Sequence, residues 1–118
     1  SITSVSIPKS VTIIGQQAFC DCSSLANITV DENNAVYCSI DGNLYSKTEK
    51  SLIQYAIGKK EETFTIPYAV TSIADYAFYS SKLTSVNLSY VTSIGYNAFS
   101  SCFFCVSILR LKLVCSFV

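Results

Sequence analysis

The chain has 118 residues and a mass of 12.9 kDa, a size that suits one domain built around a single continuous core. Half of it is hydrophobic and 14% is charged, a balance that excludes a chain held open by polarity and net charge. Eight basic residues offset eight acidic ones, so no overall field draws in a phosphate backbone or an anionic lipid surface, and nucleic acid is excluded as the expected partner.

From the first residue onward, no basic leader followed by a cleavable apolar stretch is visible, so no signal peptide is expected within these residues. The first element is Ser4-Val5-Ser6-Ile7, an alternation of small polar and branched apolar residues that predicts a short strand with one buried face. Pro8 follows and should end it, because proline has no amide proton for the ladder and fixes φ for a turn. Val11 and Ile14 are then expected to be buried, and Ala18-Phe19 closes the unit.

The pattern returns. Leu25-Ala-Asn-Ile28-Thr-Val30 starts a second unit, 23 residues beyond Val5 and Ile7. Phe64-Thr-Ile-Pro-Tyr-Ala-Val70-Thr-Ser-Ile-Ala-Asp-Tyr-Ala77-Phe78 repeats the whole motif, and Val86-Asn-Leu-Ser-Tyr-Val91-Thr-Ser-Ile-Gly-Tyr-Asn-Ala98-Phe99 repeats it again, one residue shorter and without the proline. A period of this size belongs to the leucine-rich-repeat range. Val5/Ile7, Ile28/Val30, Phe64/Ile66 and Val86/Leu88 should face the core, with Val70, Ile73, Val91 and Ile94 behind them. Phe19, Phe78 and Phe99 should stack as a spine from coil to coil.

The outward positions of the four strands are Ser4 and Ser6, Asn27 and Thr29, Thr63 and Thr65, and Ser85 and Asn87, all small and polar. Coils stacked at strand spacing, about 4.8 Å, would turn them into two columns on one flat, solvated parallel sheet.

Residues 31–62 break the period. Within them, Asp41-Gly42 lies between two β-rich runs, a hairpin signal, and Lys47-Thr-Glu-Lys50 supplies a second turn before Leu52-Ile-Gln-Tyr55. A three-stranded meander projecting from the solenoid is the expectation. Tyr37, Tyr45 and Tyr55 give it amphipathic rings that could form a second contact site, or that cover the insertion's own small core, the reading given more weight.

The motif Ile-Pro-x-x-Val-x-x-Ile-x-x-x-Ala-Phe, followed by Cys22 and Leu25, resembles the BspA-type, or treponemal, leucine-rich repeat over roughly residues 2 to 102. The resemblance implies a right-handed, horseshoe-like repeat solenoid with a parallel sheet and a β-hairpin or meander insertion. It implies a cell-surface or secreted protein that adheres to host or matrix proteins or to another cell's surface. Residues 103–118 depart from the motif and are expected to form an atypical tail. Its apolar run, interrupted by Arg110 and Lys112, falls short of the roughly 20 apolar residues that span a bilayer.

Catalytic chemistry is sparse. With no histidine, a Ser-His-Asp or Cys-His nucleophile and a histidine-containing zinc site are excluded within the chain. Asp31, Glu32, Asp41, Glu49, Glu61 and Glu62 invite comparison with a glycosidase's paired carboxylates, but turn positions beside lysines suit a solvated surface better. Cys22 and Cys102 occupy one repeat position at least two coils apart, roughly 10 Å, too far for a disulfide, so both are expected as buried thiols. The sequons at Asn27 and Asn87 would place a glycan on the predicted sheet face.

The expected function is therefore protein binding through Ser4, Ser6, Asn27, Thr29, Thr63, Thr65, Ser85 and Asn87, with Tyr37, Tyr45 and Tyr55 as a second contact. No cofactor, metal or small-molecule substrate is expected. The alternatives are a non-binding spacer within a longer repeat array and, with less support, a carbohydrate-active enzyme.

Overall fold

The structure, a computed structural model, describes residues 2–15, 17–19 and 21–100. Nine strands follow one another along the chain: β1 Ser4–Ile7, β2 Asn27–Val30, β3 Tyr37–Ile40, β4 Asn43–Ser46, β5 Ser51–Gln54, β6 Thr63–Thr65, β7 Ser72–Ile73, β8 Ser85–Asn87 and β9 Ser93–Ile94. No helix occurs among the described residues.

Alternation decides the repeat strands. In β1, β2, β6 and β8 the polar positions are exposed while Ile7, Ile28 and Val86 are buried and Val5, Val30 and Phe64 half-buried. Each strand then runs into a tight turn. Val11 N donates to Pro8 O and Val70 N to Pro67 O, while in the shorter last copy Val91 N donates to Leu88 O. Ser89 absorbs the missing residue by taking a positive φ of 53°. Past the turn, β7 and β9 pair in parallel through Ser72 with Ser93 and Ile73 with Ile94.

The expected single sheet is divided. β1 pairs with β2 in parallel, and β6 with β8, but β2 and β6 do not pair. The segment 39–42 explains the break: Ile28 N donates to Gly42 O at 2.8 Å and Ser39 Oγ donates to Ile28 O at 2.5 Å, so the hairpin occupies the edge of β2 that a third-coil strand would use. Only glycine fits at 42, where φ is 82° and a Cβ would lie 2.6 Å from Asn27 Oδ1. Asp41 beside it has φ 53°, and two successive positive φ values are the mark of a type I′ turn.

β3, β4 and β5 run antiparallel, as the turn residues predict, with Cys38 opposite Tyr45 and Ser46 opposite Ser51. They do not project as a separate unit. β5 pairs in parallel with β7 and makes one five-stranded sheet in the order β3-β4-β5-β7-β9, because Leu52 occupies the ladder position that Ile73 and Ile94 occupy in later coils.

The core divides at the same place. One cluster gathers Ile7, Leu25, Ile28, Tyr37, Leu44 and Ala56, and the other runs from Tyr45 and Leu52 through Ile66, Ile73 and Val86 to Phe99. An aromatic spine does run through the second, but its members are Tyr55, Phe78 and Phe99, with centroid separations of 5.2 and 4.8 Å. Phe19 is not part of it. Its ring is half-buried against the first cluster, and Tyr55, supplied by the end of the inserted segment, takes the place beside Phe78 that Phe19 was expected to hold.

Candidate functional site

Parallel pairing sets the geometry of the polar face. Ser4 stands opposite Asn27 and Ser6 opposite Thr29 on one pair of strands, and Thr63 opposite Ser85 and Thr65 opposite Asn87 on the other. All eight are exposed. Ser6 Oγ and Thr29 Oγ1 share a hydrogen bond of 3.1 Å across the ladder, and Asn87 Oδ1 accepts from Ser89 N at 2.9 Å. The structure thus assembles the predicted residues as two separate patches, with the hairpin turn between them.

The insertion tyrosines are placed differently. Tyr37, Tyr45 and Tyr55 are 8%, 2% and 1% exposed, so none offers contact area to a partner. The Tyr37 hydroxyl accepts from Ile14 N at 3.0 Å and ties the insertion to the first coil. Burial pushes the Tyr45 hydroxyl far above the ordinary phenol range, and burial with the nearby Glu61 carboxylate pushes Tyr55 up to about 12.

Other tyrosines are exposed instead. Tyr68 and Tyr90 follow the strand-ending positions of the third and fourth coils and are 80% and 69% exposed, and Tyr96 is 60% exposed. Tyr76 packs edge-on against both Tyr79 and Tyr96, at 5.6 and 6.1 Å. Their signal in the sequence is aromatic residues at turn positions, where the core periodicity asks for none.

The six acidic residues of the insertion are all exposed, as turn residues beside lysines should be. Among the described residues, no group of three or more His, Cys, Asp or Glu side chains is arranged to hold a metal ion. Cys22 and Cys38 are free and half-buried, whereas the comparison of Cys22 with Cys102, and the expected tail at 103–118, lie outside the described residues. No helix among the described residues is long and apolar enough to cross a membrane.

Short parallel strands at a 21–23-residue period, followed in the last two coils by a turn and the buried Ile73 and Ile94, define a leucine-rich-repeat protein. The BspA type leucine rich repeat region matches residues 1–103 in six copies, and the chain belongs to that family. Three solved structures agree in fold. The pneumococcal vaccine antigen PcpA superimposes with a TM-score of 0.76 at 30% identity over 85% of this chain and 25% of its own. A leucine-rich-repeat protein from Eubacterium ventriosum gives 0.78 at 33% identity over 83% of this chain and 27% of its own. A leucine rich cell surface protein from Faecalibacterium prausnitzii gives 0.75 at 38% identity over 86% and 27%. The chain therefore spans about a quarter of the length of these proteins. No curated protein matches it. Proteins of this repeat class typically mediate protein–protein interactions and are typically not enzymes.

Proposed function

We propose that the chain is a protein-binding, adhesive module of a surface protein, acting through the exposed residues of its repeat strands. The observation that supports this reading is the in-register exposure of eight small polar side chains on two pairs of hydrogen-bonded parallel strands. Such a surface costs little side-chain entropy on binding and is free of catalytic groups. The exposed Tyr68 and Tyr90 enlarge the contact area on the third and fourth coils, since tyrosine contributes area at low entropic cost. The partner is a host or matrix protein, or the surface of another cell. Surface location fits a neighbour described as a cell surface protein. A right-handed, horseshoe-like continuation of these coils would extend the same face.

The test is the triple replacement of Thr29, Thr65 and Asn87 by lysine, assayed for binding to immobilised matrix proteins and to host cells. Binding should be lost while circular dichroism stays unchanged, and full retention would reject the strand face as the contact. A spacer role is the second reading, favoured by the quarter-length match to longer arrays. It requires that a parent array with this segment deleted binds as well as the intact one.

A further inference from the structure

Between the hairpin turn and β6 lies a cleft of about 280 Å³ lined by Asp41, Asn43, Tyr55, Lys59, Glu61, Thr63 and Phe64. It occupies the interruption between the two polar patches. We propose that this cleft binds one neutral sugar ring, a hexose or an N-acetylhexosamine, a specificity beyond the protein binding proposed above.

The polar groups select the ligand. Asn43 is fully buried, its Oδ1 accepts from Ala56 N at 2.8 Å, and its Nδ2 is buried with no hydrogen-bond partner. Because the oxygen is already committed, what Asn43 has left to offer is a donor, and an unpaired buried amide carries a desolvation cost that an acceptor would recover. Asp41 and Glu61 are exposed carboxylates that can only accept, and Lys59 can only donate. A cation would meet the Asn43 amide protons and the Lys59 ammonium, and an anion would meet two carboxylates. Neutral hydroxyl groups satisfy both sets, accepting from Asn43 and Lys59 while donating to Asp41 and Glu61.

The apolar wall fits as well. Phe64 is half-buried at the cleft, held by Tyr55 at 5.0 Å and Phe78 at 6.1 Å, and presents a fixed ring to the C–H face of a sugar. The cleft falls just below the roughly 300–1,000 Å³ of sites for drug-sized ligands, which suits a single ring.

The experiment is a titration of the ¹⁵N-labelled chain, followed by NMR, with methyl glucoside, methyl galactoside, methyl mannoside and N-acetylglucosamine. At least one should shift the Asn43 side-chain NH₂ signals and the amides of Asp41, Lys59, Glu61 and Thr63, saturating on the order of 1–10 mM as a weak single-ring contact does. Asp41→Asn with Glu61→Gln should weaken that binding at least tenfold, on the scale of two lost charge-assisted hydrogen bonds. Asparagine tolerates the positive φ at 41, and both positions are exposed, so the double variant should stay folded. Asn43 signals that stay fixed with all four sugars, that move with calcium chloride instead, or that shift equally in the double variant overturn the proposal. None of these outcomes touches the lysine test of the strand face, because Thr29, Thr65 and Asn87 do not line the cleft.

Discussion

Phe78 and Phe99 lie face to face, centroids 4.8 Å apart and planes 9° from parallel, so that each coil hands its closing ring to the next. Phe78 is fully buried and also stacks on Tyr55, which places it at the middle of the spine. Phe78→Ala should cost about 3–5 kcal/mol, the usual loss for a deleted core phenylalanine, read as a lower urea midpoint. Against a total stability of roughly 5–15 kcal/mol, that loss brings the domain close to unfolding. A cost under about 1 kcal/mol would mean that the spine does not hold the coils together.

Asn34 does for the first two coils what the spine does for the last two. It is fully buried, and its Nδ2 donates to Pro8 O at 3.0 Å and to Val11 O at 2.9 Å. Its Oδ1 accepts from Val36 N and Tyr37 N, both at 2.8 Å. Asn34→Asp preserves shape but turns an acceptor toward two carbonyl oxygens, so it should destabilise by roughly 2–4 kcal/mol, and by at least as much as Asn34→Ala. Chemical denaturation of the two variants checks the order, and an Asp variant as stable as the parent would contradict the hydrogen-bond geometry.

Alkaline pH should unfold the protein in a defined window. The pKa of Tyr55 is 10.0 in an open chain and about 12 in the folded state, because burial and Glu61 disfavour the phenolate. Above pH 10 the unfolded chain loses this proton first, so the folded state holds more protons and stability falls as pH rises. The stabilising contribution is complete below pH 10 and is lost as pH rises through about 12, with the folding constant dropping up to tenfold per pH unit for each such tyrosine. Tyr45, raised further by its burial, acts in the same sense. Thermal melts between pH 8 and 12 should be flat at first and then decline, and Tyr55→Phe should flatten the decline.

The repeat and hairpin strands and their turns were legible because two local rules write them: alternation for the strands, and proline or Asp-Gly for the turns. The two-residue β7 and β9 were not foreseen, and Val11 and Ile14, expected in the core, are half-buried. The Ser4, Thr29 and Asn87 side chains point outward as a period of two demands. Ladder continuity was not legible, because whether β2 meets β6 depends on where residues 39–42 fold back, and a 32-residue insertion carries no period to say so. The tyrosines were legible in part. The favoured expectation that Tyr37, Tyr45 and Tyr55 cover a core agrees with their burial, but the core is shared with the coils on either side rather than the insertion's own, while Tyr68 and Tyr90 are exposed at turns.

Along β4, Leu44 packs into one apolar cluster and its neighbour Tyr45 into the other. A repeat array normally passes stability from coil to coil through an unbroken backbone ladder, which single substitutions hardly alter. Here the strand-face ladder stops at β2, and the path continues through Ile28 N to Gly42 O into the hairpin and its five-stranded sheet. Leu44 and Tyr45 grip the two cores from opposite sides, so the hairpin is the joint through which the two halves share stability.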